Sequence, residues 1–162
     1  MLDDPVLVND WHAVARSEDL REGQVLAARL LEEDLVLWRA GGEVMAWRDL
    51  CIHPGTRLSL GWVDGAKLVC PYHGWTYNTA GRCVHIPAHP QQTPPTKAHA
   101  ETYHTKEHYG LVWVCPGQPA RDLPHFAEWE DPAFRKIPVG PYTMQASAPR
   151  AIENFIDVAH FP

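Results

Sequence analysis

Two short strings carry most of the metal-binding chemistry in this chain. The first is Cys51-Ile52-His53, and sixteen residues later comes Cys70-Pro71-Tyr72-His73. In extended backbone, residues two apart face the same side, so Cys51 and His53 can present sulfur and nitrogen together. The second pair turns about Pro71 and is followed by Gly74, while Pro54-Gly55 shapes the first loop. Glycine in such loops lets backbone come close to a metal or a sulfide. Two cysteines and two histidines admit two sites. One is a tetrahedral zinc. The other is a [2Fe–2S] cluster in which two histidines replace two cysteines on one iron. Zinc motifs usually pair like with like, whereas each loop here offers one cysteine and one histidine. That mixture suits the diiron cluster, with Cys51 and Cys70 on one iron and His53 and His73 on the other.

Loops of this kind need a scaffold, and the sequence around them reads as strand and turn. Gln24–Leu31 and Asp34–Trp38 are apolar segments joined at Leu31-Glu32-Glu33-Asp34, and Gly41-Gly42-Glu43 turns into Val44–Arg48. Lys67–Cys70, Trp75–Tyr77, Arg82–Ile86 and Leu111–Val114 are further short strands, and Ala98–Gly110 reads as an exposed hairpin arm. Ser17–Leu20, with Ser17 as N-cap, is the one helical signal in this stretch. Many short strands at close spacing predict a small β-sandwich or barrel-like domain. Cys115-Pro116-Gly117-Gln118-Pro119 reads as a linker, placing one domain at 1–115 and the beginning of a second at 116–162. Beyond it Phe126–Phe134 predicts a short helix, Tyr142–Ala146 a strand, and Pro149–His160 a longer helix. Ile152, Phe155, Ile156 and Ala159 form its apolar face, with Asn154, Asp157 and His160 three apart on an adjoining stripe.

Composition narrows the functional classes. The 162 residues carry 14 Lys+Arg against 20 Asp+Glu, a net charge of −6 with no basic run, which excludes a nucleic-acid binder. No apolar run reaches the ~20 residues of a membrane helix, and the start lacks a signal-peptide pattern, so the chain reads as cytoplasmic with no membrane role. In that compartment four cysteines among ten histidines point to metal rather than disulfides. Cys83 and Cys115 lie in apolar strands and are expected as buried, reduced thiols. The seven tryptophans are expected mainly in the core, with Trp75 placed to shield the metal loops from water. His104 and His108 have helical spacing, but Thr105 excludes the H-E-x-x-H pattern. His85, His89, His99 and His125 have no partner pattern.

The two ligand strings, with Leu58-Ser59-Leu60-Gly61 and the run from Lys67 to Tyr77, resemble the Rieske family over roughly residues 8–115. The resemblance implies a mainly β fold: a Rieske-type [2Fe–2S] β-sandwich followed by the start of an α+β catalytic domain. It also implies Cys51, His53, Cys70 and His73 as the cluster ligands. Two ferric ions, two sulfides and two thiolates sum to zero charge, so neutral histidines make reduction easier than an all-cysteine set would. Respiratory members carry an extra cysteine in each loop, where this chain has Thr56 and Tyr72, so their disulfide cannot form. Trp75 replaces a serine that donates to the cluster and Tyr77 is kept, which implies a lower potential. This is the pattern of Rieske ferredoxins and ring-hydroxylating oxygenases.

Glu153-Asn154-Phe155-Ile156-Asp157-Val158-Ala159-His160 resembles the E-N-x-x-D-x-x-H segment of Rieske oxygenase α subunits. The resemblance implies His160 as one ligand of a two-histidine, one-carboxylate Fe(II) site with open positions for O2. It implies Asp157 as the catalytic bridge to His73 of the partner subunit, and hence a homotrimer. The second histidine and the carboxylate are expected beyond Pro162, so the chain reads as the N-terminal portion of such a subunit. The Asp10-Trp11-His12 start and His53-Pro54-Gly55 resemble the O-demethylase branch. By implication a reductase or ferredoxin supplies electrons, and O2 is used to hydroxylate or O-demethylate a small organic, aromatic substrate. The alternatives are a Rieske ferredoxin-like electron carrier without catalytic iron, and a zinc-stabilised binding domain.

Overall fold

The structure, a computed structural model, describes residues 4–53, 55–140 and 142–160, with residue 160 described by its backbone alone. It divides into two compact units, one running to His125 and one from Phe126.

The first unit begins with a one-turn helix α1 (Pro5–Val8), capped by the Asp4 carboxylate, and β1 (His12–Arg16). β2 (Val25–Leu30), β3 (Glu33–Ala40) and β4 (Glu43–Arg48) follow as a meander. β9 (Thr102–His108) and β10 (Leu111–Cys115) complete an antiparallel sheet in the order β1-β10-β9-β4-β3-β2. Its end strands β1 and β2 lie against one another, so the sheet curls towards a barrel. Between β4 and β9 the chain inserts a second sheet of four short strands: β5 (Trp62–Asp64), β6 (Lys67–Val69), β7 (Thr76–Asn78) and β8 (Cys83–His85). Both metal-binding strings belong to this insertion.

β3 explains how one strand serves two cores. Successive side chains point to opposite faces. Val36, Trp38 and Ala40 therefore enter one core with Met45 and Trp47, while Leu35 and Leu37 enter another with Ala46, Val112 and Val114. Burial on both faces is why the strand reads as an unbroken apolar run. In the first core Trp38 and Trp47 meet edge-to-face at 5.0 Å, and Trp47 meets Tyr77 in the same manner at 6.2 Å. These rings carry the core from the large sheet to the inserted one.

Several expectations are corrected. The β2–β3 connection is a two-residue turn, with Leu31 and Glu32 both left-handed (φ +46° and +65°) and the ladder closing at Leu30 and Glu33. Ala98–Gly110 is no exposed arm: Ala98 and Ala100 are buried, and β9 is an interior strand paired with both β4 and β10. Of the seven tryptophans only Trp38 and Trp47 are buried, and Trp62 is 52% exposed. The two compact units divide between His125 and Phe126. Residues 116–125 stay with the first unit because Gly117 N–H donates to Val8 O, Trp11 Nε1–H to Arg121 O, and Arg121 pairs with Asp10.

In the second unit the first predicted helix is shortened to α2 (Ala127–Glu130), since Pro132 disfavours helical backbone at Asp131. Tyr142–Ala146 forms no strand, there being no neighbouring strand among the described residues of this unit to hydrogen-bond with it. α3 (Ala148–Ile156) ends four residues earlier than the predicted helix. Asp157 is extended (φ −76°, ψ 103°), and its carboxylate accepts from Ala159 N–H at 2.9 Å. Such a local side-chain bond competes with helical continuation. A short 3-10 turn, Val158–His160, follows.

Candidate metal centre

Each metal-binding string sits in a loop closed by its own main chain. In the first loop, residues 49–61, Cys51 N–H donates to Thr56 O at 2.8 Å. The root of the loop is Asp49, only 4% exposed, whose carboxylate accepts from Ser59 N–H (2.7 Å) and Ser59 Oγ–H (2.6 Å). Beside Ser59, Leu58 is fully buried and plugs the loop into the core. In the second loop, residues 70–75, Cys70 N–H donates to Trp75 O (2.9 Å) and Gly74 N–H to Cys70 O (3.0 Å). Gly74 is left-handed (φ +69°), and a Cβ there would meet Pro87 Cγ at 3.0 Å. The turn therefore favours glycine twice over, by conformation and by the approach of Pro87.

Together the loops sort the four candidate donors by depth. Cys51 and Cys70 are each 2% exposed and belong to the core that holds Trp47, Leu68 and Tyr77. His53 is half-buried and His73 exposed, and their Nδ1 atoms face each other at 2.9 Å. His53 stacks on Trp75 (4.9 Å, 21°), and Tyr72 leans on His73 (3.9 Å). Tyr77 Oη lies 3.2 Å from Cys51 Sγ. Burial pushes the Cys51 thiol up to about 11; the Tyr77 hydroxyl opposes the rise and the Cys70 sulfur adds to it. Burial likewise raises the Tyr77 hydroxyl. Two buried sulfurs this close resist ionising together unless a cation takes the place of their protons.

This arrangement discriminates between the two metal readings. A sulfur pair and a separate nitrogen pair offer two donors to each of two metals, which a [2Fe–2S] cluster with its own bridging sulfides needs. The donor set fits the cluster. Cys83 and Cys115 are buried and unpaired, and Cys83 Sγ donates to His85 O. Asp157 lies in the second unit, and the side chain of His160 falls outside the described residues. The Asp49–Ser59 latch and the Trp75–His53 stack escaped the sequence reading as contacts, although Leu58–Gly61 and Trp75 were both singled out.

Two loops on a small sheet, inserted into a β-sandwich and presenting a buried thiol pair beside an outer imidazole pair, define an iron–sulfur domain with mixed ligation. The chain belongs to the Rieske [2Fe-2S] domain family, whose model matches residues 10–106. It is 39% identical over 158 residues to methylxanthine N1-demethylase NdmA of Pseudomonas putida, covering 93% of this chain and 45% of that protein. It is 33% identical to the oxygenase component of dicamba O-demethylase from Stenotrophomonas maltophilia, covering 94% and 45%. The solved structure of Pseudomonas putida CBB5 NdmA superposes with a TM-score of 0.88 at 38% identity, covering 96% of this chain and 49% of that one. The chain spans about half the length of these relatives. No helix among the described residues is long and apolar enough to cross a membrane.

Proposed function

We propose that this chain is the electron-accepting part of the terminal oxygenase component of a Rieske non-haem iron oxygenase. Cys51 and Cys70 hold one iron of the cluster, and His53 and His73 hold the other. The observation that carries the reading is the separation of the donors into a buried sulfur pair and an outer nitrogen pair. When bound, the cluster supplies one-electron transfer and a mononuclear Fe(II) supplies O2 activation. The residues of this chain do the rest. The core around Tyr77 keeps water from the sulfurs, and the outer histidines, His53 half-buried and His73 exposed, give electrons a short path to a docked donor or acceptor. His160 is one ligand of the mononuclear iron, and Asp157 links that site to His73 of the partner subunit within a homotrimer.

The matches cover more than nine-tenths of the chain and so run through the second unit, which favours an oxygenase over a free-standing carrier. The relatives' names supply the reaction class: oxidative removal of a methyl group from nitrogen or oxygen of a small aromatic or heteroaromatic compound. A component so described takes its electrons from a separate reductase or ferredoxin. Four cysteines without a disulfide suit a reducing compartment, the cytoplasm. The test is electron paramagnetic resonance of the dithionite-reduced protein together with iron, sulfide and zinc analysis. A rhombic signal with two irons and two sulfides per cluster is expected. A silent, colourless, zinc-containing protein would refute the reading.

A further inference from the structure

We infer that Trp75 is a positioning residue for His53. The inference rests on the cluster assignment above and concerns which side chain fixes the orientation of one ligand. Each loop closes on hydrogen bonds of its own backbone, and His53 and Trp75 meet across the loops through their rings. Of the two rings touching His53, His73 must exchange its Nδ1 contact for a metal bond when a cluster binds. The Trp75 stack makes no such demand and can persist.

Trp75 is itself well held. Its carbonyl accepts from Cys70 N–H at 2.9 Å, which ties the residue to a proposed ligand of the other iron. Its indole packs against the core that contains Cys51, Cys70 and Tyr77. The imidazole of His53 lies over it at 4.9 Å and 21°, an offset stack that restricts rotation about the ring's own bond. In that rotation Nδ1 faces Nδ1 of His73. His53 enters from the first loop while Trp75 belongs to the second, so the stack also registers one loop against the other. His73 has no such backing: it is exposed, with Tyr72 tilted against it at 47°. The two imidazoles are held unequally, one by a core-anchored indole and one by a surface phenol.

The experiment uses the cluster-loaded protein. Nitrogen hyperfine couplings of the reduced state report each histidine separately, and iron release to a chelator reports how well both ligands are held. Losing a ring stack changes the balance between held and rotated imidazole by about fivefold. Trp75→Leu is expected to alter one nitrogen coupling, leave the other unchanged, and speed iron release about fivefold. Trp75→Phe, which keeps a flat ring, is expected to restore both readouts. If Trp75→Leu does not fold, Trp75→Met against Trp75→Tyr makes the same comparison with less change in volume. Two unchanged couplings with native iron release overturn the inference. So does equal impairment by ring-bearing and ring-free substitutions. A native protein without any nitrogen couplings overturns the cluster assignment as well, which separates the two failures.

Discussion

The sharpest test of how the fold holds its metal loops is removal of the carboxylate beneath the first one. Asp49 is nearly fully buried and receives two short hydrogen bonds from one residue, Ser59, at 2.7 and 2.6 Å. Bonds to an ionised acceptor contribute about 1.5–3 kcal/mol each. Ser59→Ala deletes the hydroxyl bond and leaves the carboxylate its main-chain donor, at a cost of about 1.5 kcal/mol. Asp49→Ala removes both bonds and leaves Ser59 N–H and Oγ–H facing the gap, about 3 kcal/mol. For a protein of this size that lowers the thermal midpoint by about 6–12 °C. Because the hydroxyl's main partner is gone in Asp49→Ala, adding Ser59→Ala should change little further, a coupling of about 1.5 kcal/mol in the double-mutant cycle. Calorimetry on the four proteins measures this, and iron content measured alongside should fall with Asp49→Ala, since Cys51 lies two residues on. Additive effects of the two substitutions would refute the latch. So would a shift below 1 °C for Asp49→Ala, a bound well under any single charge-assisted bond.

Three further outcomes are expected. Arg39 donates through Nε to Leu20 O (2.7 Å), through Nη1 to Gly42 O (3.2 Å) and bidentately to Glu107, so Arg39→Ala should cost about 2–3 kcal/mol in denaturant titration, and Arg39→Lys should recover only part of it. The hydrogen bond from Arg39 holds the Glu107 carboxyl below its ordinary value, so its contribution is present above the unfolded carboxylate range near 4.3 and lost as pH falls through the lowered value; the pH dependence should flatten there in Arg39→Ala. Leu31→Asn with Glu32→Gly relieves two left-handed side-chain-bearing residues in a type I′ turn and should stabilise by about 1 kcal/mol, read as a higher denaturation midpoint. Gly61→Ala would set a Cβ 2.1 Å from the backbone carbonyl oxygen of Val69 and should strongly reduce folded yield where Gly42→Ala, with open space about it, gives only the smaller cost of a left-handed alanine.

The fold was legible where burial is periodic and local. β3 and β4 read correctly because each buries apolar residues on both of its faces. β9 did not, because Thr102, His104, Lys106 and His108 on one face and Thr105 and Glu107 on the other are polar, with Tyr103 alone packing on the second core; its pairing with β4 and β10 has no signature in its own residues. β5 was missed although Asp64-Gly65 before Lys67 is a hairpin signal, with Gly65 left-handed at φ +57°. The helix past Ile156 was over-extended for a different reason. Its apolar stripe was a true periodicity, but Ile152, Phe155 and Ile156 are exposed, so burial gives α3 nothing with which to outweigh the local bond of Asp157.

The site divides along the same line. A candidate donor declares itself by residue type and by distance from its neighbour in the chain, so Cys51 with His53 and Cys70 with His73 stand out as candidates in the sequence. What holds a donor in place joins residues far apart in sequence: Asp49 to Ser59 across ten positions, Cys51 to Tyr77 across twenty-six, and His53 to Trp75 between the loops. The separation by depth could not be read at all, because sulfur and imidazole within one loop differ by only two or three residues. It arises because Leu58 and Tyr77 draw the cysteine end of each loop into the core while the turns at Gly55 and Gly74 carry the histidines outward. Burial of the sulfurs raises the Cys51 thiol, so a metal must displace a tightly held proton there and binding is favoured as pH rises. The imidazoles, His53 half-buried and His73 exposed, form the opposite edge. A loop read as a motif names candidate ligands; the core beneath it gives them an inside and an outside.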